Sequence, residues 1–167
     1  MKKKWINYYL DIAHVVAKGS KDPSSQVGAV IVDGDGSPVS FGFNGFIKGC
    51  DENCMTFERP MKYNLIIHAE MNALMFAKRD LKDCVMLITH GPCENCLKHV
   101  LQSGIREIYY DDCSIVRDRA SDESKEAISL LIESVNAKVL SRDRVCYLEE
   151  IKVNKDSIKQ DETRSKK

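Results

Sequence analysis

His68-Ala69-Glu70, Pro92-Cys93 and Cys96 are the residues whose types and spacing could do chemistry together. One imidazole and two thiols are zinc ligands. Three protein ligands leave a fourth position open, as a catalytic zinc requires, whereas a structural zinc takes four. Glu70 stands two residues beyond the imidazole. A carboxylate there can take a proton from water and return it to a substrate without binding the metal. The Cys-x-x-Cys by itself is open to other readings. It could be a redox pair, half of a structural zinc site, or chance in a chain with seven cysteines. A thioredoxin-type pair would follow the first strand of a βαβ unit, and it would leave His68 and Glu70 without a use.

The elements around these residues explain how they could meet. A helix is expected over 69–78, rich in Ala, Met and Leu, and another over 94–103 with Gly104 as its stop. His68 and Glu70 then sit at the mouth of one helix, and Cys93 and Cys96 at the mouth of the next. Two adjacent helix starts can aim all four side chains at one point, and their partial positive charge favours thiolate over thiol.

Further out, Trp5, Tyr9, Ile12, Ala13 and Val16 recur on one face of a first helix, which Gly19 ends. Residues 27–32 are a continuous apolar run, read as a strand buried on both faces. The turn signal 33–36 joins it to a second strand over 38–43, as a hairpin. Residues 45–64 form a long irregular loop, of a length that usually has a function. Strands over 85–89, 107–110 and 137–140, with a helix over 121–135, complete the order α-β-β-α-β-α-β-α-β. The helix between the last two strands is a crossover, so those strands are parallel.

Composition bounds the rest. The chain has 167 residues, 43% hydrophobic and 30% charged, which suits one soluble domain. Lys plus Arg and Asp plus Glu are both 25, so the basic excess of a polynucleotide binder is missing. No polynucleotide and no membrane partner is expected. Residues 5–17 are interrupted by Asn7, Asp11 and His14, unlike a signal-peptide core. With an odd cysteine count this points to a cytoplasmic protein without a disulfide framework. Cys50 and Cys54, with His90 and His99, could build a second zinc site, though free thiols explain them as well. Lys98 and Arg106 are candidates to meet an anion, and His14 reads as structural or surface.

With these motifs in hand, the chain resembles the cytidine deaminase superfamily, and within it the deoxycytidylate branch, over about residues 5–140. His68-Ala69-Glu70-Met71-Asn72-Ala73 and Pro92-Cys93-Glu94-Asn95-Cys96 are similar to the zinc motifs of the superfamily. Asp22-Pro23-Ser24-Ser25-Gln26-Val27-Gly28-Ala29 and Gly42-Phe43-Asn44-Gly45 resemble segments of the deoxycytidylate branch, with Phe43 where that branch has Tyr. The branch also tends to carry a further Tyr shortly after the fourth strand; here Tyr109-Tyr110-Asp111-Asp112-Cys113-Ser114 stands without a clear later Tyr.

The resemblance implies an α/β, three-layer α/β/α fold with a central five-stranded mixed sheet, the last two strands parallel. The zinc-dependent deaminase domain is expected over 1–148, and the charged composition from 149 on marks 149–167 as a charged, partly disordered tail. The resemblance implies hydrolysis of dCMP to dUMP and ammonia, which feeds thymidylate synthesis. His68, Cys93 and Cys96 would hold Zn²⁺, and Glu70 would shuttle protons. Asn44 would bond the sugar and Ser24 and Gln26 the ribose and phosphate end; the amide of Ala69 or of Cys93, a free N–H at a helix start, could hold the base edge. A hexamer activated by dCTP and inhibited by dTTP with Mg²⁺ is also implied, with Gly42, Gly45, Lys48 and Asp51 at the effector site. The alternatives are a tRNA adenosine or guanine deaminase, and a zinc-stabilised binding protein without catalysis.

Overall fold

The computed structural model describes residues 1–151. Its centre is a five-stranded mixed sheet in the order β2-β1-β3-β4-β5. The strands are β1 (Gly28–Val32), β2 (Pro38–Phe43), β3 (Val85–His90), β4 (Glu107–Asp112) and β5 (Lys138–Ser141). β1 pairs antiparallel with both β2 and β3. β3, β4 and β5 run parallel, because helices α4 (Glu94–Gln102) and α6 (Asp122–Ser134) cross between them. The hairpin and the parallel final pair agree with the sequence reading.

Alternation along the strands separates two cores. Ala29, Ile31, Met86, Ile88, Ile108 and Tyr110 face one side, where α3 (Ala69–Ala77), α4 and α6 cover them. Val30, Val32, Val85, Leu87 and Tyr109 face the other, under α1 (Lys3–Ala17). The three layers are therefore unequal, with α1 forming the third. α1 buries Ile6, Tyr9, Leu10, Ala13 and Ala17, whereas Trp5 is 47% exposed. The apolar face is thus turned one position from the expected one. Ile6, Leu10, Ala13 and Ala17 fit the helical repeat as well as the Trp5 series does. Burying such a branched side chain is worth about 1.5–3 kcal/mol.

Three short helices were not read from the sequence. They are α2 (Lys62–Leu65), α5 (Ser114–Arg119) and α7 (Tyr147–Ile151). A 3-10 turn, Glu52–Cys54, also breaks the long loop, and Asp51 caps it. Helices of four to six residues carry too few turns for an apolar period to show. α7 moves the edge of the packed domain. Tyr147 and Ile151 are buried in the core, so residues 149–151 belong to packed structure and not to the tail. Residues 152–167, the rest of the expected tail, lie outside the described residues.

Two chain segments distant in sequence are locked by a buried ion pair. Lys62 of α2 places Nζ 2.6 Å and 2.9 Å from the two oxygens of Asp22. The side chains are 7% and 0% exposed. Lys62 also donates to Ser24 Oγ at 2.6 Å, and the Ser24 and Ser25 amides donate to Asp22 Oδ1. Burial alone would raise the Asp22 pKa. The bonds from Lys62 and Ser24 overcome it and hold the carboxyl below its ordinary 3.8. The contribution of this carboxylate is therefore present above pH 3.8 and is lost as the pH falls through the lowered value. Asp22→Asn leaves a buried ammonium without its counter-charge. Urea unfolding at pH 7 should show a loss of about 3–5 kcal/mol, shrinking as the wild type is acidified. A loss under ~1 kcal/mol would contradict the assigned role of the pair.

Candidate active site

His68 is the N-cap of α3 and Cys93 the N-cap of α4, each in extended backbone at the turn into its helix. Cys96 lies in the first turn of α4. The two helix starts converge as their spacing suggested. His68 Nδ1 is 3.3 Å from Cys96 Sγ and 3.7 Å from Cys93 Sγ, and the three ligand atoms lie within 4.8 Å of one another. Tetrahedral zinc with its usual Zn–S and Zn–N lengths separates S from N by about 3.6 Å. The donor set and its spacing therefore fit Zn²⁺. Among the described residues this is the one group of three or more His, Cys, Asp or Glu close enough to share a metal, and Cys50 and Cys54 build no second site there.

The three ligands are electrostatically coupled. The Cys93 thiol is pulled down to about 4, first by the bond from Cys96 and then by His68, against its burial. His68 is pushed up to about 9, chiefly by its bond to Cys93. Cys96 is raised, since its proton bonds the Cys93 sulfur and it is itself buried. A thiolate and an imidazolium side by side are poised to exchange protons for a cation.

Glu70, one residue into α3, is buried next to this cluster. Burial pushes its carboxyl above the ordinary range, against the opposing charge of His68. A carboxyl raised in this way is a stronger base than an exposed one, suited to taking and returning a proton.

Glu70 and Cys93 open into a cleft whose wall includes Asp22, Asn44, Arg59, Lys62, His90 and Arg119. Ala69, at the first position of α3, lines it too, and that position has an N–H without an intrahelical partner. Asn44 is in the wall but tied up structurally. Its Oδ1 accepts from the Val27 amide at 2.8 Å, and its Nδ2 donates to the Ser25 carbonyl at 2.9 Å. Ser25, not Ser24, lines the cleft. Gln26 is turned to the Ser20 carbonyl, 2.7 Å away.

The four expected effector residues are not gathered at one point by any contact described. Gly42 is buried beneath α3, where a Cβ would come within 2.4 Å of the Ala73 nitrogen and 2.5 Å of the Ala69 oxygen. Close packing of β2 on α3 requires a glycine there. Gly45 pairs with Ile67, Lys48 is exposed, and Asp51 accepts from the Asn53 amide. Of the two cations considered for an anion, neither lines the cleft. Arg106 donates to the Leu101 and Ile105 carbonyls, and Lys98 is exposed on α4.

Sequence reasoning missed Lys62, Arg59, Arg119 and Tyr147. Lysine and arginine are ordinarily solvated, so their type carried no signal. Tyr147 of α7 is buried, and its hydroxyl donates to the Pro92 carbonyl at 2.9 Å. A Cβ on Gly91 would meet the Tyr147 ring at 2.5 Å. α7 thus presses directly on the turn that carries Cys93. The unusual Gly-Pro before that cysteine was the available signal.

Comparison with known proteins agrees with this geometry. The profile of the cytidine and deoxycytidylate deaminase zinc-binding region matches residues 3–111. Human deoxycytidylate deaminase is 32% identical over 162 residues, 93% of this chain and 88% of that protein. An uncharacterized deaminase in the luxG 3′ region of Aliivibrio fischeri is 46% identical over 109 residues, 65% of this chain and 74% of that protein. The dCMP deaminase of cyanophage S-TIM5 superposes with a TM-score of 0.66 at 26% identity, covering 84% of this chain and 99% of the other. The chain belongs to the zinc-dependent cytidine and deoxycytidylate deaminase family.

Proposed function

We propose that this chain hydrolyses dCMP to dUMP and ammonia and so supplies dUMP for thymidylate synthesis. The observation that carries the reading is the burial of Glu70 against the His68, Cys93 and Cys96 cluster, at a cleft that also holds two arginines. Support for the nucleotide comes from relatives: the human deoxycytidylate deaminase, and the S-TIM5 enzyme solved with dCMP and dUMP, 25% identical with a TM-score of 0.65.

His68, Cys93 and Cys96 would hold the metal. Zinc bound there would supply Lewis acidity, making a water at the open position nucleophilic at neutral pH. Glu70 would take one proton from the attacking water and deliver it to N3 of the cytosine as the oxygen adds to C4. It would then move the remaining hydroxyl proton to the amino group, so that the C4–N bond breaks, ammonia leaves and the C4 carbonyl forms. The Ala69 amide holds the base edge, using an N–H that the helix leaves free. Asn44 faces the sugar with the second lone pair of Oδ1, and Ser24 and Gln26 hold the shape of the ribose end. Arg59 and Arg119 are exposed and have no acidic partner among the described contacts, which suits them to the 5′-phosphate.

Regulation is read the same way: dCTP activates, dTTP with Mg²⁺ inhibits, and the stretch with Gly45, Lys48 and Asp51 takes the effector in a hexamer, Gly42 serving the packing of β2 on α3 instead. No helix among the described residues is long and apolar enough to cross a membrane, and we assign the enzyme to the cytoplasm. A binding protein without catalysis would have no use for a buried carboxyl beside an open metal position. Zero net charge disfavours a tRNA substrate.

Ammonia release from dCMP, CMP, deoxycytidine and single-stranded DNA at equal concentration tests the reading. dCMP should be preferred, and Glu70→Gln should lower kcat by about 10²–10⁴-fold. Added dCTP should lower the half-saturating dCMP concentration, and dTTP with Mg²⁺ should raise it. Preference for the bare nucleoside, or activity that survives Glu70→Gln, overturns the substrate or the proton shuttle. A saturation curve that neither effector shifts overturns the regulation.

A further inference from the structure

His90 is in the cleft wall with Glu70, Cys93 and Arg119, yet neither the metal cluster nor the proton shuttle uses it. It is the last residue of β3 and pairs in register with Asp112 on β4. Ligands of open α/β sheets gather beyond the carboxyl ends of parallel strands, and β3 and β4 are such a pair. The imidazole is largely buried, its side chain 25% exposed.

The hydrogen bonds around it favour a proton on Nε2 over one on Nδ1. Thr89 Oγ1 accepts the Gly28 N–H at 3.1 Å and lies 3.0 Å from His90 Nδ1. Among the described contacts the Thr89 hydroxyl has no other acceptor. Nδ1 is the one acceptor within reach of the hydroxyl proton, an arrangement that assigns the single proton of the neutral ring to Nε2. Nε2 is 3.8 Å from Asp112 Oδ2, beyond hydrogen-bond reach. The Asp112 oxygens are already engaged by the Ser114 amide at 2.9 Å and the Ser114 hydroxyl at 2.6 Å. The ring is thus fixed from behind by a backbone-to-threonine relay, with its donor unspent. Burial also disfavours the imidazolium, against the pull of Asp112 and Asp111 and together with the push of His14.

We propose that His90 binds the substrate, donating Nε2–H to an oxygen acceptor of the nucleotide in the cleft. This rests on the nucleotide-deaminase reading and adds a contact to it. The acceptor is a phosphate oxygen or the base carbonyl oxygen, and the two sources are separable.

The test compares wild type with His90→Leu, His90→Gln and His90→Asn, each checked for zinc content and thermal midpoint, in steady-state kinetics on dCMP and deoxycytidine. Gln can place a donor near the Nε2 position, whereas Asn places one near Nδ1. His90→Leu should raise the KM for dCMP by about 10–100-fold, as expected for a bond to a charged or strongly polar oxygen, with kcat within about threefold. His90→Gln should recover most of the loss and His90→Asn should not. This contrast stands even if the leucine variant fails to fold. A penalty seen with dCMP and absent with deoxycytidine places the acceptor on the phosphate; an equal penalty places it on the base. A folded His90→Leu with wild-type KM overturns the proposal, as does a pattern in which Gln and Asn behave alike. A wild type inert on dCMP removes the underlying function itself, a result distinct from any difference among the variants.

Discussion

The rest of the structure depends on two helix starts being brought face to face. α3 and α4 begin at His68 and Cys93, and only their convergence puts an imidazole and two sulfurs within 4.8 Å. The sheet enforces it. α3 is seated on β2 through the Gly42 contact, and α4 is the crossover between the parallel strands β3 and β4. A shift of either helix by one turn, about 5.4 Å, would separate the ligands by more than the whole width of the cluster. The positive ends of both helices also favour the anionic sulfurs that a metal needs.

Around that point the chain encloses a cleft with groups drawn from distant segments. Asp22 and Lys62 fasten the loop before β1 to α2, so the wall that carries Asn44 and Ser25 is not left to wander. On the opposite side Tyr147 braces Pro92 from α7, and Tyr110 bonds Glu150 of the same helix. The residue types that touch substrate in such a site need little freedom, since misplacement of a reacting group is costly. Both braces are long-range in sequence, and each rests on one polar side chain buried with its partner.

This division explains what could be read from residues alone. The metal motif was legible because its chemistry is local: His-x-Glu and Cys-x-x-Cys each occupy a single helix start. The sheet order around it followed from apolar runs and crossover lengths. The braces were not legible. Lys62 is of a type that is nearly always solvated, and its burial depends on Asp22, 40 residues earlier. α5 and α7 are too short to show a period, and the Trp5 series and the Ile6 series of α1 match the same repeat equally well. Gly42 reads the same whether a ligand or a neighbouring helix requires it, and only the backbone of α3 beside it shows the second.

Metal content measured alongside turnover tests the central constraint most directly. Purified protein should carry about one zinc per chain. Chelation should abolish ammonia release in proportion to the zinc removed, zinc should restore it, and Cys96→Ala should prevent both loading and recovery. Metal-free protein that deaminates dCMP at the full rate, or zinc that stays bound in Cys96→Ala, would contradict a reaction built on the convergence of α3 and α4.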